Sequence, residues 1–93
     1  MYNIEHGSYA IARKLGVVIK PSYNKHKKID VYKDDKHIAS IGATGMMDYF
    51  KFLARDGPKI ASLHRQRYLM RHEKDRHIIG SNGYYAAKIL WDA

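Results

Sequence analysis

The sequence contains no cysteine, no long apolar run and few acidic residues, and each absence excludes a class of protein. Without cysteine the chain forms no disulfide, and no thiolate serves as a nucleophile or a metal ligand. No apolar run approaches the roughly 20 residues that a membrane-spanning helix needs. Residues 1–16 lack the charged-then-apolar layout of a signal peptide, so we expect a protein that is not secreted.

The shortage of acidic residues leaves the chain strongly basic, with a net charge of +8 and a pI near 9.8. The excess lies in two blocks. Residues 20–37 hold six Lys or Arg against three Asp, and residues 51–77 hold eight Lys or Arg against three acidic residues. A surplus of this size on a small domain indicates a polyanionic partner, most often nucleic acid. The alternative is a basic protein that its charge merely keeps soluble.

The pattern of apolar residues predicts a fold of the α+β class. Alternating runs on both sides of the turn at residues 34–36 predict a β-hairpin over about residues 28–41. The β-branched run VVIKP, closed by Pro21, predicts a further short strand, and Ser8 and Gly16 mark the ends of a short helix before it. We therefore expect a small antiparallel sheet of two or three strands.

Three helices are predicted to follow the hairpin. The first covers about residues 45–56, with Thr44 or Gly45 as its cap and Gly57 at its end. Pro58 begins the second, over about residues 58–74. The segment GYYAAKILW predicts a last helix over about residues 83–91, with a strand as the alternative. No repeat, low-complexity tract or proline-rich linker divides the chain, so residues 1–93 are expected to form a single domain.

The helix over residues 58–74 mixes charge with apolar residues. At about 100° per residue, an apolar arc is defined by Ile60, Leu63, Met70, Tyr68 and Ala61. Arg67, Arg71 and His64 fall inside this arc. Burying two unpaired guanidinium groups would be very costly. The pattern therefore leaves three arrangements open: the arginines pair with carboxylates, they extend their charged ends to water, or the helix borders a groove that binds phosphate.

Two kinds of candidate residue follow from this pattern. Asp48 is the carboxylate best placed by sequence to pair with the helix, so we predict a structural pair between Asp48 and Arg71. Arginine binds phosphate with two parallel hydrogen bonds, and an exposed tyrosine offers a surface for a base to stack on. The predicted nucleic-acid-binding residues are Arg65, Arg67, Arg71, His72, Lys74, Arg76, Lys25, Lys27, Lys28 and Tyr23.

Four segments in order are KIDVYKDDKHIAS (28–40), IGATGMMDY (41–49), RQRYLMRHEKD (65–75) and GYYAAKILW (83–91). Together they resemble a family of short uncharacterised proteins of large DNA viruses and phages. The shared pattern is a hairpin, a G-A-x-x-x-x-D-Y turn, an R-x-x-Y-x-x-R-H helix and a closing G-Y-Y-A…L-W. This chain has Met46 and Met47 where an aromatic residue is expected. The matching positions are Gly42, Asp48, Tyr49, Arg65, Tyr68, Arg71, His72, Gly83, Tyr84, Ala86, Leu90 and Trp91.

The resemblance covers about residues 28–92, which it marks as a family-like core, and residues 1–27 are a less well defined N-terminal element. It implies a viral or phage origin, and hence a location in the cytoplasm of an infected host cell or in the virion. It implies no activity, because the family has no assigned function.

The residues themselves favour a binding protein over an enzyme, and they leave three functions open. The first is nucleic-acid binding, of DNA rather than RNA, through phosphate contacts that are largely independent of sequence. The second is an accessory factor that binds an acidic host or phage protein. The third is a metal-dependent nuclease, but no recognised metal-ligand spacing occurs, and no metal or other cofactor is predicted. The residue types that a nuclease needs are at Asp48, His64, His72, Glu73 and Asp75.

Overall fold

The computed structural model describes residues 2–93, which form a three-stranded antiparallel sheet and four helices. Along the chain these are α1 (His6–Leu15), β1 (Val18–Pro21), β2 (Lys27–Lys33), β3 (Lys36–Ala43), α2 (Tyr49–Asp56), α3 (Pro58–Arg71) and α4 (Asn82–Trp91). The predicted α+β class is confirmed, with strands that precede the later helices. Of the helices within these residues, none has the length and apolar character that crossing a membrane requires.

The sheet has the order β1-β2-β3, and β2 and β3 form the predicted hairpin. Lys33 pairs with Lys36, so only Asp34 and Asp35 lie in the loop, with φ of 51° and 64°. Two consecutive residues with positive φ are typical of the tight hairpin turn whose twist matches that of its strands. Aspartate tolerates this conformation better than most residues, which explains the acidic pair at the turn.

Helix α4 is the element on which the rest of the core packs. It contacts β3 and α1, and it also contacts α2 and α3. Ile89 of α4 is buried together with Ile29, Val31 and Ile41 of the sheet. A helix surrounded by other elements needs apolar residues on more than one face, which accounts for the nearly uncharged sequence of α4.

Gly42 allows α4 to approach the hairpin closely. Its φ is +79°, and a Cβ added to it would lie 2.8 Å from Cδ1 of Leu90 and 2.9 Å from Cδ of Lys28. Both the backbone conformation and the lack of space therefore require glycine at this position.

Two predicted helix boundaries are wrong. Helix α2 begins at Tyr49 rather than near residue 45, because Gly45 has φ +86° and the chain turns there after β3. Neither Thr44 nor Gly45 caps the helix; the Asp48 carboxylate does, by accepting a hydrogen bond from the Lys51 N–H at 3.2 Å. Helix α3 ends at Arg71 rather than Lys74, and residues 72–80 form turns that lead to α4.

Asp30 is a buried carboxylate in the central strand. Ser40 Oγ donates a hydrogen bond to its Oδ1 at 2.7 Å, and His37 Nε2 lies 3.7 Å from the same oxygen. Burial alone raises the pKa of Asp30, but hydrogen bonds from Ser40 and Ser22 and the charge of His37 outweigh it and hold the pKa below its ordinary value. Ionised Asp30 therefore stabilises the fold.

The Asp30→Asn variant should show how the contribution of this carboxylate to stability depends on pH. Because the pKa is lowered in the folded state, the stabilisation is present above the unfolded pKa and is lost as the pH falls through the folded pKa. We expect the wild type to be more stable than the variant at pH 7, with a difference that shrinks in acid. Urea unfolding of both proteins from pH 7 to pH 3, followed by circular dichroism, measures it. A difference that stays constant over this range would contradict the assignment.

Candidate functional site

A groove of about 650 Å³ lies between the hairpin and α3, with α4 beneath it. It exists because β3 and α3 both pack on α4. Residues 40–43 at the end of β3 line one side, and side chains of residues 64–72, at the end of α3 and just after it, line part of the other. Met46 and Met47, in the loop before α2, complete the lining, and Met46 is largely exposed.

Five rings, here called the aromatic wall, run along one side of this groove. His72 stacks on Tyr68 with ring centroids 4.3 Å apart, and Tyr68 stacks on Trp91 at 4.5 Å. Phe52 lies 6.3 Å from Trp91 and stacks on His64 at 3.7 Å. All five residues line the groove. The wall therefore begins and ends at a histidine, with the larger aromatic rings between them.

Arg67 and Arg71 stand at the edge of the groove, and both are exposed. Arg55, Arg65 and Arg76 are each paired with a carboxylate, whereas within residues 2–93 neither Arg67 nor Arg71 takes part in an ion pair. The two guanidinium groups are free to bind an anion.

A second groove, of about 640 Å³, continues the first. The two share Lys27, Lys28, Met46 and Met47, so we call them together the basic groove. The second part is lined by further residues that carry charge or an aromatic ring, namely Tyr2, Tyr23, Lys25 and Lys51. Tyr23 is 87 % exposed.

The structure thus brings together six of the ten predicted binding residues. They are the ones with side chains on the basic groove that are not buried: Tyr23, Lys25, Lys27, Arg67, Arg71 and His72.

Three other predicted binding residues lie away from the basic groove. Arg65 covers the Tyr49 ring, 4.3 Å from its centroid, and donates to the Asp92 carbonyl at 3.2 Å. Arg76 is paired with Glu73 at 3.0 Å. Lys74 is exposed, beyond the end of α3. The predictions for Arg65 and Arg76 are not supported, because both guanidinium groups already have partners.

The predicted pair between Asp48 and Arg71 is wrong. Asp48 instead forms an ion pair with Lys28, with Oδ2 and Nζ 3.3 Å apart and both side chains buried. The Tyr2 hydroxyl donates a hydrogen bond to the same carboxylate oxygen. Lys28, the tenth predicted binding residue, lines the groove but is held by Asp48 rather than free for phosphate.

Ionisation at this cluster follows from its burial. Burial raises the pKa of the Tyr2 hydroxyl, and the hydrogen bond to Asp48 and its charge raise it further, so the hydroxyl stays a donor. Burial lowers the pKa of Lys28, and the charge of Asp48 opposes that effect. The Tyr2 hydroxyl and the Lys28 ammonium together satisfy a carboxylate that would otherwise be very costly to bury.

Only one edge of the predicted apolar arc of α3 packs inward. Ala61 and Tyr68 are buried, as the spacing predicts, whereas Ile60, Leu63 and Met70 are exposed. Tyr68 stacks on Trp91 of another helix, a contact that spacing within α3 does not reveal. Arg67 and Arg71 therefore need no carboxylate partner, since they lie on the exposed side.

Sequence reasoning missed the aromatic wall and the Lys28–Asp48 pair. An available signal for Asp48 was its position just before the apolar run that starts at Tyr49, which is typical of a helix cap. No local pattern joins Phe52, His64 and Trp91, because they come from three different helices. Across residues 2–93, no group of three or more His, Asp or Glu is placed to hold a metal ion.

Comparisons with protein-family models, with curated proteins and with solved structures give no match. The resemblance to a viral and phage family therefore stays a prediction.

Replacing Asp48 should strongly destabilise the fold. Asp48→Ala leaves Lys28 buried without its partner and removes the cap of α2, so we expect a loss of about 3–5 kcal/mol in the free energy of unfolding. Asp48→Asn keeps a side-chain oxygen that can cap α2, so this variant measures the loss of the carboxylate charge alone. Arg71→Ala is the control and should change stability by less than about 0.5 kcal/mol. Urea unfolding measures all three.

The partner of Asp48 is tested by a double-mutant cycle. Lys28→Met combined with Asp48→Ala should cost less than Asp48→Ala alone, because no charge is then left buried without a partner. Coupling of Asp48 to Arg71 instead of Lys28 would overturn the pairing described here.

Proposed function

We propose that this protein binds nucleic acid in the basic groove, through phosphate contacts that are largely independent of sequence. The observation that carries the proposal is the pair of free arginines at the edge of the groove. Their neighbours Arg65 and Arg76 are neutralised by carboxylates, whereas Arg67 and Arg71 are not.

The spacing of the two arginines suits a phosphate ligand. Four residues apart on α3, they lie on the same side of the helix and about 6 Å apart along its axis. A guanidinium group donates two parallel hydrogen bonds to a phosphate, which a lysine ammonium does not. Two such groups side by side give a strong site for a polyanion.

Cations on the other parts of the groove extend the positive surface. Lys27 lies on the hairpin side, and Lys25 lines the second part. Lys51 also lines the second part, but it is paired with Glu5. Asp75 is the one carboxylate among the lining residues of the first part, and it lies 3.5 Å from Nδ1 of His72. The positive charge therefore exceeds the negative charge along the whole groove. An excess of positive charge along the groove favours a ligand with a charged phosphate backbone over a neutral ligand.

Removing both free arginines should weaken nucleic-acid binding. The Arg67→Gln/Arg71→Gln variant loses two phosphate contacts, so we expect weaker binding and a shallower dependence of log K on log salt, by about 1.4 to 1.8 in slope. Fluorescence anisotropy with a labelled oligonucleotide at about 50 and 200 mM salt measures both quantities.

A variant with the same net charge distinguishes the effect of the groove residues on binding from the effect of overall charge. Arg13→Gln/Lys36→Gln also removes two positive charges, from exposed positions that line neither part of the groove. It should keep most of the affinity. Equal losses in the two variants would mean that the overall charge, and not the groove, attracts the nucleic acid. No binding by the wild type at about 50 mM salt would refute the proposal.

One observation favours a second candidate, a factor that binds an acidic protein. Ile60, Leu63 and Met70 form an exposed apolar stripe on α3 beside the two free arginines, and Met70 is 80 % exposed. Apolar side chains next to cations suit a protein surface with an acidic border. An amphipathic acidic peptide that binds the wild type, and binds Leu63→Asn more weakly, would favour this candidate if oligonucleotides do not bind.

A further inference from the structure

We infer that the basic groove takes an unpaired stretch of a nucleic-acid strand, with a base stacked against the aromatic wall at His72. This inference rests on the proposed function and specifies its ligand. Two features lie in the same groove: a row of aromatic rings and, at its edge, the two free arginines. Phosphate binding alone would require only the arginines.

The aromatic wall is built to receive a further ring. His72, Tyr68 and Trp91 are stacked with interplanar angles of 27° and 12°, so they form a nearly parallel pile. Tyr68 and Trp91 are buried, which holds the pile rigid before any ligand arrives. The His72 side chain is 39 % exposed and forms the end of the pile in the groove. A base that stacks there extends an existing arrangement at little cost in side-chain entropy.

Arg71 and His72 both line the first part of the groove, so a base at the wall brings its own phosphate close to a free guanidinium group. This combination of a stacking surface with cations that follow the backbone is how proteins bind single strands. Every base has a π-face, so the arrangement agrees with binding that is independent of sequence.

A duplex does not fit this arrangement. Its bases are already stacked on one another, and none is free to lie against His72. The exposed residues Ile60, Leu63 and Met70 on α3 do not complement the phosphates of a duplex either. In an unpaired strand, a base can stack on the aromatic wall while the phosphates contact the free arginines.

The ligand is a strand rather than a single nucleotide because the groove continues. Lys27 and Met46 line both of its parts, and beyond them lie Lys25 and the exposed ring of Tyr23. Tyr23 offers a second stacking surface, and Lys25 offers a further phosphate contact.

An abasic strand separates base stacking from phosphate contact. We would measure the anisotropy of three labelled ligands with the full chain: a short mixed-sequence single strand, the same strand with abasic sites throughout, and the matching duplex. The intact single strand should bind about 5- to 150-fold more tightly than the abasic one if a single base stacks. It should also bind more tightly than the duplex.

Variants at His72 test whether the base stacks on this residue. His72→Ala should weaken binding of the intact strand and leave binding of the abasic strand unchanged, and His72→Tyr should restore the affinity. A purely structural role for His72 would lower both affinities alike, and thermal unfolding of each variant checks the fold. Trp91 is the only tryptophan in the chain and belongs to the wall, so its fluorescence should change when the intact strand binds.

Each remaining outcome has a defined meaning. Equal affinity for the intact and abasic strands, with binding still weakened by salt, overturns the inference and leaves the proposed function standing. Duplex binding as tight as single-strand binding also overturns it. A free nucleoside monophosphate that competes as well as the strand overturns the assignment of a strand as the ligand. Failure of all three labelled ligands to bind refutes the proposed function itself.

Discussion

Asp48 is a carboxylate with only 1 % of its surface exposed, and three parts of the chain meet at it. Lys28 reaches it from β2, the Tyr2 hydroxyl from the N-terminal segment, and the Lys51 N–H from the first turn of α2. A buried carboxylate without these partners would be very costly. The three contacts thereby tie the sheet to the start of α2. They fix the position of α2, and hence of α3, relative to the hairpin.

The basic groove is a consequence of that placement. Because α2 begins only at Tyr49, residues 44–47 stay outside the helix and border the groove rather than fill it. Helix α3 then presents Tyr68 to Trp91 and leaves Arg67 and Arg71 exposed at the edge. Stability and charge are thus divided among different residues: Lys28 is used to hold the fold, and the free arginines remain for a ligand.

The sequence predicted elements whose signals are local and missed contacts between distant elements. The hairpin was predicted because its alternation and acidic turn lie within one short stretch, and GYYAAKILW was predicted as a helix from its apolar run. The apolar arc of α3 was right for Ala61 and Tyr68 and wrong for Ile60, Leu63 and Met70, because the contact of Tyr68 with Trp91, far along the chain, decides which edge packs inward. The partner of Asp48 was missed for the same reason, since Lys28 comes from the sheet. Arg67 and Arg71 were predicted from their position inside the apolar arc of the helix, but their freedom from partners is visible only in three dimensions.

The most direct test of the central claim is an NMR titration of the isotopically labelled protein with a short single-stranded oligonucleotide. Chemical-shift changes should concentrate at residues 64–72 at the end of α3, residues 82–91 of α4 and the hairpin end at residues 27 and 40–43. They should be absent from exposed positions on α1 such as Arg13. The Trp91 indole signal should move as well, because the ring belongs to the wall of the groove. Shifts confined to α1 and the hairpin turn, or no shifts at about 50 mM salt, would contradict the account.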